Sequence, residues 1–390
     1  MNDTLETWIP EGIGETNFVF EVGQLQKHLS QIRDPRKPRG IRYSLPVLLS
    51  MLVLAKLCGE DKLSGMAEWL RLRETQLTEW LGLERHTLPH VTTYSRVLAS
   101  LDLSDVETVL GNFFQEQGIT GVISLDGKTL RGTIPAGQTQ GTHLLAAYAV
   151  ERGVVLHQMD VVTKTNEITV APQLIESLDL RNCIVTGDAL LTQHAICTAI
   201  QEAGGNYVFP VKGNQATLQR AIAETFLPPL RPRHQTWLTA DQTHTCQSGR
   251  MEWRILTATS LLNDYVHYLG WSHVQQVFRL QRIVQHKATG RLSYEVLFGI
   301  TSLSDQQATP ADLLRILRQH WHIENRLHYV RDVSLGEDAC QVRNPRIQHV
   351  LASLNNLALG LIRLASNFPY IPQARRYLAA NLDEAFQLIC

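Results

Sequence analysis

Three acidic residues stand where the chain changes pattern. Asp126 follows the apolar run GVISL, Asp188 follows NCIVTG, and Glu324 lies inside a long helical pattern at 312–343. Carboxylates gathered at one point repel one another unless cations sit between them, and hard oxygen ligands suit Mg2+ or Mn2+. Two such ions, about 3.5–4 Å apart, would activate a water or a 3′-hydroxyl and stabilise the leaving oxygen in phosphodiester chemistry. Each residue also has an ordinary reading: an Asp before Gly makes a turn, and an Asp before a helix caps it. The coincidence of three is what points to a site.

The helical pattern around Glu324 has apolar residues at Leu313, Ile316, Ile323, Leu327 and Val330, and neither Pro nor Gly interrupts 312–343 before Gly336. This is the three-to-four spacing of an amphipathic helix. At about 100° per residue, Leu317, His320, Glu324, His328 and Arg331 form a second row at the edge of the buried face. That row is either solvated or one wall of a site.

Other chemistries fit poorly. The phrase DGKT lacks the glycine a phosphate loop needs, because the fifth position before Gly127 is Val122. His320 and His322 point to different faces and no Cys partners them, which disfavours zinc. The six cysteines include no C-x2-C pair and read as reduced thiols. The apolar run Leu45 to Leu57 is too short for a membrane span and reads as a core helix. The acidic N-terminus is not a signal peptide, so a cytoplasmic protein is expected.

The elements that must position the carboxylates follow in order. Residues 20–110 are helical in pattern, with short helices at 63–73, 74–83 and 90–101, the last able to start on Thr92 or Thr93. They are either a helix-turn-helix or a plain helical subdomain. Strands are expected at 121–132, 143–153 and 154–163, the last two joined at Arg152-Gly153. A helix at 166–180, a strand at 182–190, a helix at 192–204 and a strand at 206–214 follow. This β-β-β-α-β-α-β order is that of the ribonuclease-H-like arrangement, in which the first and fourth strands are neighbours. Asp126 and Asp188 would then meet, and a later helix would lower Glu324 onto them. Strand-rich runs at 250–260, 273–284 and 292–303 read as an inserted β subdomain, and Val350, Leu354, Leu357, Leu361 and Leu364 mark one face of a final long helix.

The expected organisation is α/β: an all-α region over 1–117, the first part of a ribonuclease-H-like mixed sheet over 118–215, a β-rich insertion over 216–305, and the glutamate helix with the C-terminal helices over 306–390. With 390 residues, 44% apolar, the chain is long enough for several such units. A formal charge of -1 does not advertise nucleic acid, so basic contacts must be argued locally. Arg36, Lys37, Arg39 and Arg42, among prolines and a glycine, form either a solvated linker or an arm that tracks phosphates. Lys128, Lys212, His328 and Arg331 are candidates nearer the carboxylates.

The blocks SLDGKTLRG, KTNEI at 164–168, VTGDALLTQ, FPVKGNQ at 209–215 and HWHIENRLHYVRDVSLGEDA at 320–339 together resemble the DDE transposases of bacterial insertion sequences, in particular the ISAs-type or H-repeat-associated subgroup. The resemblance implies divalent-metal-dependent strand cleavage and transfer at transposon ends, on double-stranded DNA with terminal inverted repeats and on target DNA. It also implies that protomers assemble when ends are paired. The wider family's Tyr, Arg, Glu and Lys signature falls on Leu317, His320, Glu324 and Arg331, so only the glutamate is retained as such, while Arg331 keeps the charge. QSGRMEWR at 247–254 has Ser248 where the subgroup tends to carry His. A domesticated DNA-binding relative and a standalone nuclease are the alternatives.

Overall fold

The computed structural model describes residues 23–39, 41–134, 137–161, 167–227, 238–239, 243–247, 249–365 and 368–389. Among the described residues six helices come first: α1 (Gly23–Leu29), α2 (Leu45–Leu57), α3 (Leu63–Arg71), α4 (Glu74–Trp80), α5 (Val91–Ser100) and α6 (Leu103–Gln115). Helix α2 is apolar all round and correspondingly buried on nearly every side. Helix α5 starts on His90, whose ring accepts from the Thr92 N–H, rather than on Thr92 or Thr93. Residues 81–90 join α4 to α5, a longer connection than the three or four residues of a helix-turn-helix.

The sheet then begins. Strands β1 (Gly121–Thr129), β2 (His143–Ala149) and β3 (Val154–Val161) form the expected antiparallel meander, with Gly153 in the left-handed region at the β2–β3 turn. Helix α7 (Glu167–Glu176), β4 (Cys183–Thr186), α8 (His194–Glu202), β5 (Asn206–Val211) and α9 (Ala216–Thr225) follow. Strand β4 lies parallel to both β1 and β5, giving the ribonuclease-H-like order β3-β2-β1-β4-β5.

The strands of the insertion do not fold apart from this sheet. They are β6 (Leu238–Thr239), β7 (Thr243–Gln247), β8 (Arg250–Thr259), β9 (Gln276–His286) and β10 (Leu292–Thr301), with α10 (Asn263–Tyr268) between β8 and β9. β10 pairs antiparallel with β5 over Phe298↔Val211 to Thr301↔Val208, so among the described residues one sheet runs β3-β2-β1-β4-β5-β10-β9-β8-β6. Ser248 and residues 164–166 of the KTNEI block lie outside the described residues.

Helix α11 (Pro310–His320) opens with a capping box between Thr309 and Asp312 and with Pro310 in its first turn. It does not continue as one regular helix to Gly336. A π-helical turn occupies Ile323–His328, α12 (Tyr329–Val333) completes the run, and Gly336 turns the chain in the left-handed region. The last helices are α13 (Pro345–Ala365), α14 (Ile371–Ala380) and α15 (Leu382–Gln387). α13 is buried on all faces from Ile347 to Ile362, not on one apolar stripe, because α2, α5, α6 and β3 surround it.

Polar bonds join these N- and C-terminal helices. Glu107 on α6 receives Gln158 at 2.8 Å and meets His349 of α13 at 3.0 Å. Arg375 of α14 donates to the Lys56 carbonyl at 3.0 Å and to Asp61 at 2.7 Å. Among the described residues the main apolar core includes residues from Leu25 to Ile389, with a small separate cluster of Leu130, Leu144 and Ala352.

Candidate active site

Strand β1 sends alternate side chains to opposite faces. On one face Gly127 lies against the His143–Glu167 pair, whose Nε2 and Oε1 are 2.6 Å apart, and a Cβ at 127 would collide with both. Thr129 completes that chain through a 2.9 Å bond to His143 Nδ1. The Asp-Gly-Lys phrase is therefore not a turn: β1 continues through it, with Asp126 opposite Ala146 and Lys128 opposite Leu144.

The other face of β1 meets the glutamate helix in three places. Ser124 hydrogen-bonds Thr186 of β4 at 3.1 Å, and Thr186 reaches His320 Nδ1 at 3.2 Å. Asp126 Oδ2 is 3.2 Å from His328 Nε2 and also neighbours Glu324. Lys128 Nζ is 2.6 Å from Asp332 Oδ1. The contacts therefore run in the same order along both elements, from Ser124 through Thr186 to His320, from Asp126 to Glu324 and His328, and from Lys128 to Asp332.

Asp188 enters from β4. The parallel register ends with Ser124 opposite Thr186, and Asp188 stands two positions beyond the end of β4, where its charge and that of Asp126 both act on His320. Its Oδ1 accepts from the Leu190 and Leu191 N–H groups at 2.8 and 3.3 Å, so the capping reading of this residue is also correct. The carboxyl is nevertheless exposed.

Electrostatics reflect the crowding. Burial raises the Asp126 pKa, but the His328 imidazole, then His320 and the Gly127 N–H, outweigh it and hold the carboxyl below its usual range. Glu324 moves the other way, raised by burial and then by the Asp126 charge. His320 is lowered by burial, against the opposing pull of Asp126 and Asp188.

As the side chains stand, no group of three or more His, Cys, Asp or Glu among the described residues is close enough to grip a metal. The donor set still suits a hard cation, because Asp126 and Glu324 are adjacent like charges and such pairs are relieved by a cation between them.

The basic candidates divide. Arg331 is 1% exposed and gives its guanidinium to buried Glu337, with Nε–Oε2 and Nη2–Oε1 both 2.8 Å. It cannot face a DNA strand, because the π-helical turn rotates it out of the Glu324 row and into the core. His328 is buried against Asp126, Lys128 is spent on Asp332, and Arg36 pairs with Asp34 at 2.6 Å and with the Tyr43 carbonyl at 2.9 Å. Lys37, Arg39, Arg42 and Lys212 are exposed. Sequence reasoning missed Thr186 and Asp332. Thr186 was signalled by standing two residues before Asp188 on a strand, hence on the same face.

A family model described as the transposase DDE domain matches residues 118–361, and a second, for the region associated with that domain, matches 26–114. The chain is 28% identical over 354 residues to "Putative transposase YncI" of Escherichia coli O157:H7, covering 88% of each. It is 26% identical over 357 residues to "H repeat-associated putative transposase YhhI" of E. coli K12, covering 88% of this chain and 91% of that one. In three dimensions it is similar to a chain of a piggyBac transposase synaptic complex with hairpin DNA at 12% identity and a TM-score of 0.40, covering 94% of this chain and 77% of that one. No helix among the described residues is long and apolar enough to cross a membrane. These matches place the chain among the DDE transposases of the H-repeat-associated type, divalent-metal-dependent enzymes that act on DNA.

Proposed function

We propose that this transposase cleaves the strands at the ends of its insertion sequence and joins them to target DNA, with Asp126, Asp188 and Glu324 holding two Mg2+ or Mn2+ ions. The observation that supports this is the β1–β4 register, which runs to Ser124 and Thr186, two residues short of each aspartate, together with Glu324 neighbouring Asp126. When bound, the ions supply an activated water or 3′-hydroxyl and neutralise charge on the leaving oxygen. The protein's own groups do the positioning. His328 orients Asp126, and the Ser124–Thr186–His320 chain fixes the floor between the two strands and the helix. Exposed Lys212 follows β5 directly, and with Lys37, Arg39 and Arg42 it supplies phosphate contacts that position DNA without reading its sequence. Two or more protomers pair the two terminal inverted repeats, which a mass measurement with and without end DNA checks.

Asp126→Asn and Glu324→Gln are expected to abolish Mg2+- or Mn2+-dependent nicking of end DNA while sparing binding. Undiminished cleavage by either variant rejects the site. Joined strand-transfer products distinguish a transposase from a nuclease that only cuts.

A further inference from the structure

The Lys128 ammonium is enclosed. Its side chain is 10% exposed and lies 2.6 Å from Asp332 and 3.6 Å from Asp338, while Arg131 Nε reaches Asp338 at 3.3 Å. The loop bearing Asp338 is anchored from below, because neighbouring Glu337 takes both Arg331 and the Asn355 amide of α13, the latter at 2.9 Å. Neither phosphate contact nor metal ligation uses this arrangement.

Its position does have a use. Strand β1 is paired to β2 along its length to Thr129, but to β4 only as far as Ser124. The half that bears Asp126 and Lys128 is therefore held by the sheet on one side only. Across from it, the π-helical turn at Ile323–His328 interrupts α-helical bonding, and α12 is only five residues long. Two carboxyls, Asp126 and Glu324, neighbour each other across the gap between these stretches, with His328 against Asp126, so their separation depends on how the strand and the helix are held. Lys128 closes that gap one rung beyond Asp126.

We propose that Lys128, clamped by Asp332 and Asp338, is a positioning residue that sets the separation of Asp126 and Glu324 for metal binding. This rests on the assignment of those two carboxylates as ligands. Groups that orient ligands in this way typically change metal affinity 10–100-fold when removed.

The test uses the full chain and Mn2+ alone, with free Mn2+ counted by electron paramagnetic resonance and no DNA present. Lys128→Met and Asp332→Asn are each expected to weaken Mn2+ binding about tenfold or more with the melting temperature kept, and Lys128→Arg to retain most of the affinity. The exchange Lys128→Asp with Asp332→Lys should recover part of the loss. Wild-type Mn2+ affinity in Lys128→Met overturns the proposal. So does unchanged affinity together with a DNA-binding salt slope reduced by about one, the mark of a phosphate contact. If Lys128→Met does not fold, the milder Asp332→Asn decides by the same two readings. Asp126→Asn separates the levels: if it leaves Mn2+ binding intact, the ligand assignment itself is wrong. If it abolishes binding while Lys128→Met does not, only the clamp is wrong.

Discussion

Ser124 and Thr186 share a 3.1 Å hydrogen bond between β1 and β4, two residues before Asp126 and Asp188. Both are buried, and the bond marks the last described pair of the β1–β4 ladder. Beyond it the described β1–β4 pairing stops, two residues short of each aspartate.

Thr186→Val keeps the shape and removes the hydroxyl that serves both Ser124 and His320. Leaving those groups unpaired should cost about 1–3 kcal/mol in urea unfolding. A loss below the error of the measurement would show that the chain Ser124–Thr186–His320 contributes nothing to the floor of the site.

Gly127 is required by space rather than by φ. Gly127→Ala drives a methyl into the His143–Glu167 pair and should cost about 1–3 kcal/mol. Gly213→Ala, where nothing lies within 4 Å, should stay within about 0.5 kcal/mol of the parent. Equal effects at the two positions would refute the packing account.

Arg331 and Arg39 should behave oppositely. Arg331→Met strands the buried Glu337 carboxylate and should cost about 3–5 kcal/mol of stability, with the salt dependence of DNA binding unchanged in the folded fraction. Arg39→Ala and Lys212→Ala should leave the unfolding midpoint in place and each lower the salt slope by about one. Filter binding across a salt series reads both.

Lys56 gives a pH signature. Burial lowers its pKa from 10.5 to about 8, against the raising effect of Asp61. Between those values the unfolded chain holds the proton and the folded chain does not, so stability from this group rises with pH across that window. Below pH 8 the cost of burying the ammonium is felt in full. Lys56→Met should flatten the slope of stability between pH 8 and 10.5, measured by chemical unfolding; an unchanged slope assigns it to other groups.

The strand order was legible because β1, β4 and β5 are short apolar runs with clear breaks, and the place of Asp188 was legible because it follows β4 by two residues. What was not legible came from contacts distant in sequence. Glu324, His328 and Arg331 fall on one row only if the helix is regular, and the π-helical turn that breaks the row leaves no mark in hydrophobic periodicity. The partners of Lys128 and Arg331 lie in the Asp332–Asp338 stretch, where acidic residues read equally well as a solvated turn. Likewise, strand-rich runs do not say which existing strand they will join.

The β5–β10 pairing limits how the chain can be reduced. With residues 216–305 removed, β5 from Val208 to Val211 would be a bare strand edge, its C=O groups and its N–H groups, except at Pro210, open to another chain. A minimal enzyme made by trimming the insertion would thus expose an adhesive edge beside its own carboxylates. Pairing with β10 is what covers that edge of β5 in the intact chain.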